Sequence, residues 1–406
     1  MLYATVFLYV LLVYLSCKNK KYIVLVCTPI YAVLFLYLIF SSFFIKISIN
    51  KFEINVYLLL ITITYFYMEF FLFGWVCRRG FFFIVACCFF ISIISYSGIL
   101  IPMNIIILLY PDIPYILPKF NTPFFNLFFI YVFVLLFFYL NGLRSKVLLT
   151  FVFVTISITS KWGIRAPFSS PKIAVVQVGL YYEKGGTSSS FINDLREFLK
   201  KNKADIVVFS ENMFYGYKSK YNKEKTSKLL NDINSLGLYE SHAFLFNFYG
   251  FHDVNNVVTV FKHKDKTVVN QKQVLIPYIE KKGLLNAFER IDSSFLSVNS
   301  DYDNKSIVFD KWVLNTNICY DALFPQSKVL GNVNITQSDY RQLNHGYGYD
   351  NTLKFGAILS KFSNAINSNL FVNVQNYGGT IVIDNKWNIN NEIFSLSKRE
   401  PFFILE

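Results

Sequence analysis

Past Cys88 this chain holds a single cysteine, Cys319, and its 406 residues include only four histidines. His242, His252, His263 and His345 are scattered. The other cysteines, Cys17, Cys27, Cys77, Cys87 and Cys88, sit in or beside apolar runs. This pattern argues against a disulfide framework and against the Cys/His spacings of a zinc site. Charge is scarce over residues 1 to 161, which excludes an ordinary soluble domain there. No basic residue precedes the first apolar run, so that run lacks the n-region of a cleavable signal peptide. The net charge is +13, yet no nucleic-acid motif accompanies it. Lysines and arginines flanking apolar runs, with a mildly basic second half, account for the excess, and no nucleic-acid partner is expected. After residue 171 no run is long and apolar enough for a further membrane span.

What the first part does have is long apolar sequence. A helix needs about 20 mostly apolar residues to cross a bilayer. Candidate spans are roughly 2–17, 22–45, 55–77, 81–101, 124–141 and 147–160. Between the fourth and fifth, Pro102, Pro111, Pro114, Pro118 and Pro123 interrupt an apolar stretch, which reads as a loop lying at or re-entering the interface. Odd-numbered loops carry Lys18, Lys20, Lys21, Arg78, Arg79, Arg144 and Lys146; even-numbered loops carry Lys46, Lys51 and Lys119. This bias puts the odd loops inside, and with six spans the C-terminal part emerges outside. Glu69 is the one acid within a predicted span. Such an acid either serves a function or hydrogen-bonds a polar neighbour inside the bundle. Lys161 to Lys172, with its Gly and Pro, reads as a linker.

From residue 172 the pattern changes to that of a layered α/β domain. Ile173–Val178 is a buried-type strand, followed by a Gly/Ser-rich loop. Phe191–Lys201 has helical spacing, with Phe191, Leu195, Phe198 and Leu199 on one face. Ala204–Phe209, Ala243–Tyr249, Val257–Phe261 and Thr267–Val269 read as strands, the last two joined by a polar hairpin turn. Val-Leu-Asn-Thr-Asn-Ile runs as a strand into Cys319. Val333–Thr336, a helix over Leu353–Asn367, Leu370–Val374 and Thr380–Asp384 follow.

Three residues in this half carry candidate chemistry. Glu211 directly follows a buried strand, at a sheet edge, where it is either a site residue or a solvated turn residue. Lys272 is flanked by apolar strand sequence, so it either snorkels or points into a site. Cys319 ends a strand just before a turn, well placed to attack a substrate, although an isolated cysteine is often only a small buried hydrophobe.

Taken together, ordered Glu211, Lys272 and Cys319, each near a strand end, resemble the catalytic set of the carbon–nitrogen hydrolase (nitrilase) superfamily. Cys319-Tyr320-Asp321 followed by Phe324-Pro325, behind an apolar multi-span N-terminus, resembles the apolipoprotein N-acyltransferase family. Pro277-Tyr-Ile-Glu280 matches that family's Pro-x-x-Glu segment after the lysine, and Asn376-Tyr-Gly-Gly is similar to its late Asn-x-Gly stretch. The chain departs from the family where Phe209-Ser210 replace Trp-Pro before the first acid, and where Ile366-Asn-Ser-Asn369 replaces an Glu-Asn-Gly-Arg-like ending. It also has about six spans rather than about eight. These departures suit the shortened acyltransferase-like proteins of some conjugative plasmids.

The resemblance implies a multi-span helical membrane domain over 1–161, a linker over 162–171, and a nitrilase-like α-β-β-α sandwich over 172–406. It implies an enzyme of a bacterial inner membrane, its catalytic domain on the outer face, with no cofactor or metal. Its partners would be a phospholipid acyl donor and a lipoprotein or other amine acceptor. Glu211 would act as general base, Lys272 would stabilise charge on sulfur and on the tetrahedral intermediate, and Cys319 would carry an acyl thioester. Glu280 would orient Lys272 or serve the amine, with Tyr320 and Asp321 in support. Two other classes fit the same residues: a membrane-tethered amidase, and an inactive membrane component of a transfer or export apparatus.

Overall fold

The computed structural model describes residues 2–40, 49–95, 104–160, 168–251, 254–275, 280, 296, 298, 304–326, 331–342 and 349–406. Most of the linker, and Pro277, Tyr278 and Ile279 of the Pro-x-x-Glu segment, lie outside these. So do Pro102, Lys46, His252, His345 and the ends of the apolar stretches at 41–45 and 96–101. The chain divides into two compact units, one of residues 1–164 with 342–362, the other of 165–341 with 363–406.

The first unit is built of helices. They are α1 (Leu2–Cys17), α2 (Lys21–Phe40), α3 (Ile49–Arg79), α4 (Phe81–Ser95), α5 (Pro123–Tyr139) and α6 (Leu143–Thr159). Helix α3 begins earlier than hydropathy alone indicates, because Ile49–Asn55 continues its turns despite Lys51 and Glu53. Pro123 sits at the start of α5, where its missing N–H costs nothing. The proline-rich stretch before it is not wholly irregular: Ile105–Leu109 forms a short 3-10 helix whose Ile105, Ile106, Ile107 and Leu108 are buried. Glu69 is buried and accepts hydrogen bonds from the hydroxyls of Tyr9 (2.9 Å) and Tyr131 (3.1 Å), which joins α1, α3 and α5. Around it Tyr9, Tyr31, Phe66 and Phe70 pack ring against ring.

The second unit contains two sheets. The first is ordered β11-β1-β2-β3-β4-β5, from strands β1 (Ile173–Val176), β2 (Ile206–Phe209), β3 (Ala243–Phe251), β4 (Val254–His263), β5 (Lys266–Gln271) and β11 (Phe402–Leu405). The second is ordered β10-β9-β8-β7-β6, from β6 (Ile307–Phe309), β7 (Trp312–Ile318), β8 (Val333–Ser338), β9 (Leu370–Gln375) and β10 (Ile381–Asp384). Strands β1, β2 and β3 run parallel, as do β7, β8 and β9.

Period-two alternation sorts the first sheet's side chains into two cores. Ile173, Val175, Ile206, Val208, Ala243 and Leu245 pack against Leu314, Ile335, Val372 and Val374 of the second sheet. Their neighbours Ala174, Val176, Val207, Phe209, Phe244 and Phe246 face helices instead. These helices are α8 (Phe191–Lys201), which buries Phe191, Leu195 and Leu199, and α9 (Lys220–Ser235), which buries Leu229 and Ile233. Helix α8 also carries Asp194 in its first turn and Lys200 and Lys201 in its last, matching its dipole. The backbone thus stacks a helix layer on two sheets.

Several details differ from the sequence expectation: the helix Lys220–Ser235, the strand Ile307–Phe309 and a short helix Asn391–Ser397 are not anticipated by it, and the helix expected over Leu353–Asn367 runs over Tyr349–Asn364. A short helix, α7 (Val178–Glu183), precedes the Gly/Ser-rich loop after β1. The C-terminal Phe402–Leu405 is a strand that pairs antiparallel with β1 along its whole length. Its four residues are too few for periodicity to declare it, and pairing with a distant strand supplies the hydrogen bonds that define it.

Candidate active site

The parallel strands of both sheets deliver side chains from their carboxyl ends, the usual place for sites in such sheets. Strand β2 leads through Ser210 to Glu211, β7 to Cys319, β8 to Asp339 and β9 to Asn376. Lys272 follows β5, and its N–H donates to the Val257 carbonyl of β4 at 2.9 Å. That bond keeps Lys272 in line with the sheet and fixes where its side chain leaves it.

The structure brings Glu211, Lys272, Cys319 and Glu280 together. Lys272 Nζ lies 2.5 Å from Glu280 Oε1 and 3.6 Å from Glu211 Oε1. The Lys272 side chain has no exposed surface, so it is not snorkelling. Cys319 and the Glu211 carboxylate lie close enough to shift each other's ionisation. Glu211 also accepts from the Asp339 N–H at 3.0 Å and the Tyr249 hydroxyl at 3.3 Å. These two donors come from different sheets, Tyr249 from within β3 and Asp339 just past β8, and together they fix the carboxylate's orientation.

Cys319 has φ +49°, the left-handed region that costs an ordinary side chain about 1–3 kcal/mol. It opens a 3-10 turn, Cys319–Leu323, directly after β7. The turn is held from outside. Helix α10 (Tyr349–Asn364) ends in Asn364, whose Nδ2 donates to the carbonyls of Ala322 (2.7 Å) and Phe324 (3.0 Å). Its Oδ1 accepts from the Gln326 N–H at 2.9 Å. Ser363 adds a bond to the Leu323 carbonyl at 2.8 Å.

Asp321 ties this turn to the lysine segment. Its Oδ1 accepts from the N–H groups of Gln273 (3.2 Å) and Val274 (2.9 Å) and from Gln326 Nε2 (2.9 Å). Asp321 thus holds Lys272 and Cys319 in register rather than reaching the reacting atoms. Tyr320 is buried and packs edge-on against Phe324. Burial, with the nearby Glu280 charge, pushes its hydroxyl up to about 12.

The charges balance in an unusual way for a nucleophile. Burial, then the Glu211 charge, pushes the Cys319 thiol well above its ordinary range, and Lys272 offsets only part of this. Burial also raises the Glu211 carboxyl against the pull of Lys272. Burial alone would lower Lys272, but the Glu211 and Glu280 carboxylates hold it charged. A thiol held up in this way would need Glu211 to take its proton before it could attack, the role expected of Glu211 from the sequence.

Sequence reasoning missed Asp339, Tyr249 and the structural part played by Asn376. Asn376 Oδ1 accepts from the Gly179 N–H (2.7 Å) and the Ser210 hydroxyl (2.8 Å), while Nδ2 donates to Asp339 Oδ2 (3.0 Å). It joins the ends of β1, β2 and β8. A Cβ on Gly179 would stand 2.6 Å from the Tyr377 ring and 2.9 Å from Asn376 Cγ, so this approach needs glycine. Asp339 was detectable: it ends the strand parallel to that of Cys319. Burial and the Glu211 charge push its carboxyl up to about 7.

No family model matches the chain, and no curated protein matches it. Among solved structures it is similar to an amidase from Nesterenkonia sp., at 11% identity and a TM-score of 0.33. That match covers 56% of this chain and 87% of that one. It is also similar to a glutamine-dependent NAD+ synthetase from Acinetobacter baumannii, at 13% identity and a TM-score of 0.37. Here 58% of this chain and 45% of that one are covered. Likenesses at this level assign no activity to the chain, and its chemistry is read from its own side chains.

Proposed function

We propose that this chain is a membrane-bound N-acyltransferase working through a Cys319 thioester. The observation that carries this reading is the buried Lys272 ammonium within reach of both Glu211 and Glu280, with a buried Cys319 thiol whose ionisation is coupled to Glu211 and Lys272. In acylation, Glu211 takes the thiol proton as sulfur attacks a phospholipid ester carbonyl. The ester C–O bond breaks, the proton passes to the departing alcohol, and the acyl group stays on sulfur. In transfer, an amine attacks the thioester, the C–S bond breaks, and a proton returns to sulfur. Lys272 offsets the negative charge that develops on the carbonyl oxygen. Glu280 holds Lys272 in place.

The first unit supports a lipid setting. Helices Lys21–Leu38 and Leu59–Arg79 are long and apolar enough to cross a membrane. Large apolar side chains stand on its surface, among them Tyr22 (88% exposed), Phe82 (83%) and Leu143 (78%), which water would disfavour and lipid would cover. In this reading all six helices belong to a multi-span domain, and the second unit works at the outer face of a bacterial inner membrane. The acceptor is the N-terminal amine of a lipoprotein, or an equivalent amine in a conjugal-transfer setting.

The near-complete enclosure of Glu211, Lys272 and Cys319 favours a second reading. A small amide fits a closed site better than a long acyl chain does, and water would then take the place of the amine. Intact mass spectrometry of the detergent-purified protein after incubation with phospholipid separates the two. Acyl transfer gives an added acyl mass on the wild type, none on Cys319→Ala, and release by a diacylglyceryl-cysteine peptide. Turnover of small amides without a phospholipid-derived adduct would reject acyl transfer and leave the amidase.

A further inference from the structure

An incoming amine raises a proton problem that the three central residues do not solve. A peptide α-amino group has a pKa of about 8, so near neutral pH it arrives mostly as ammonium. It must lose one proton before it can attack and a second as the amide forms. Glu211 handles one proton per half-reaction, because the thiolate leaving group needs that proton back. Water as acceptor makes no such demand, since it arrives neutral.

The site holds a further acid placed to meet this demand. Asp339 ends β8, next to the strand that delivers Cys319. Its N–H donates to Glu211 Oε2 at 3.0 Å. Its carboxylate is oriented by Asn376 through Oδ2 at 3.0 Å. The other oxygen, Oδ1, is closed off from solvent and has no hydrogen-bond partner among the described residues. As a residue Asp339 is half-buried, whereas Glu211, Lys272 and Cys319 are fully buried. Two residues on, the Arg341 guanidinium makes a two-bond ion pair with Glu183 (2.8 and 2.9 Å) and stacks on Tyr377, while its backbone N–H and its charge still favour the ionised Asp339 carboxylate.

We propose that Asp339 binds the ammonium group of the acceptor through Oδ1 and takes its first proton, making the site selective for amines over water. The inference rests on the acyl-transfer reading above. The steps balance. The Asp339 carboxylate and R–NH3+ give the carboxylic acid and R–NH2. The amine then attacks the Cys319 thioester, its C–N bond forming as the C–S bond breaks. The second nitrogen proton passes through Glu211 to the sulfur, and Asp339 afterwards returns its proton to water. A carboxyl raised to about 7 by burial and by Glu211 is well matched to accept a proton from such an amine.

The test compares two acceptors on acyl-Cys319 enzyme: a peptide amine, and hydroxylamine, which is uncharged at neutral pH. In the wild type, release by the peptide amine relative to hydroxylamine stays level down to about pH 7 and falls below it as Asp339 protonates. The groups facing Asp339 that enter this profile are Glu211, Tyr249, Tyr377 and Arg341. In Asp339→Asn, release by the peptide amine at pH 7 drops about a hundredfold, the scale of a lost general base, while hydroxylamine release drops far less. A wild-type ratio that simply follows the free-base fraction of the amine in bulk solution overturns the proposal, with or without a folded variant. So does peptide-amine release at the wild-type rate in Asp339→Asn. Absence of any acyl-enzyme in the wild type instead overturns the acyl-transfer reading itself.

Discussion

Lys272 Nζ and Glu280 Oε1 meet at 2.5 Å, with side chains 0% and 11% exposed. Glu211 stands on the other side of the same ammonium at 3.6 Å. One buried cation thus serves two buried acids, and removing it leaves both unpaired. Breaking a buried ion pair from one side costs about 3–5 kcal/mol. Lys272→Met is expected to lower the midpoint of thermal unfolding and to show no acyl mass on Cys319. Glu280→Gln keeps Glu211 as a partner for the lysine and is expected to lose less stability. A Lys272→Met protein with wild-type unfolding and normal acylation would show that the three charges are not coupled.

Asp339 makes stability depend on pH with a definite sign. Its carboxyl moves from an ordinary 3.8 to about 7 in the folded chain. Between those values the folded state holds the proton and the unfolded state does not. Stability therefore falls as pH rises through that window. Asp339→Asn cannot ionise and escapes this loss. Relative to the wild type, the variant is expected to gain stability as pH rises from about 4 to about 7, and to gain little further above it. Thermal unfolding of both proteins across that range checks it, and a constant difference would show that the Asp339 carboxyl is not raised.

Much of this site was visible in the sequence, because strand ends announce themselves. Glu211 and Cys319 each follow a run of buried-type strand residues, and Lys272 interrupts apolar sequence unlike the turn lysines near it. Their meeting was not visible from periodicity. Sequence spacing says nothing of which strands from two sheets end side by side; only the resemblance joined them. The net rise in the thiol's proton affinity was also hidden, since it comes from burial summed over both sheets. Asp339 and Tyr249 lay in sequence with no motif of their own. In the first unit, hydropathy located the helices, while the hydroxyls that Glu69 meets depend on how α1 and α5 pack against α3.

The packing of α1 on α3 can be checked directly through two cysteines. Cys17 and Cys77 lie 60 residues apart in sequence, yet their Sγ atoms are 2.8 Å apart. Disulfides need Cα atoms within about 7 Å, a condition that few helix pairs satisfy by chance. Oxidation of the detergent-purified protein with air and copper-phenanthroline is expected to join Cys17 to Cys77, as read by peptide mapping without reductant. Cys17→Ser should leave Cys77 open to alkylation under the same conditions. Formation of other pairings, with Cys17 and Cys77 both alkylated, would mean that α1 and α3 do not pack in this register.

The strained turn at Cys319 makes a claim on Asn364, which lies 45 positions further along the chain. Its side chain closes three bonds around that turn, to Ala322, Phe324 and Gln326. A cysteine at φ +49° stays there only if its surroundings over-determine it. Asn364→Ala leaves two carbonyls and one N–H without their partner, at about 1–3 kcal/mol for each group left buried and unsatisfied. The expected result is a folded but less stable protein in which acylation of Cys319 slows while affinity for the acyl donor changes little. That split follows because Asn364 acts through the turn on the position of sulfur, and the turn's geometry matters most when the thiol must reach a carbonyl along one direction. Asn364→Asp restores the two-ended shape but reverses one donor, and it should recover less than half of the lost rate. Single-turnover acylation measured at several donor concentrations separates the two effects. A change confined to donor affinity would place Asn364 in substrate binding and detach it from the Cys319 turn.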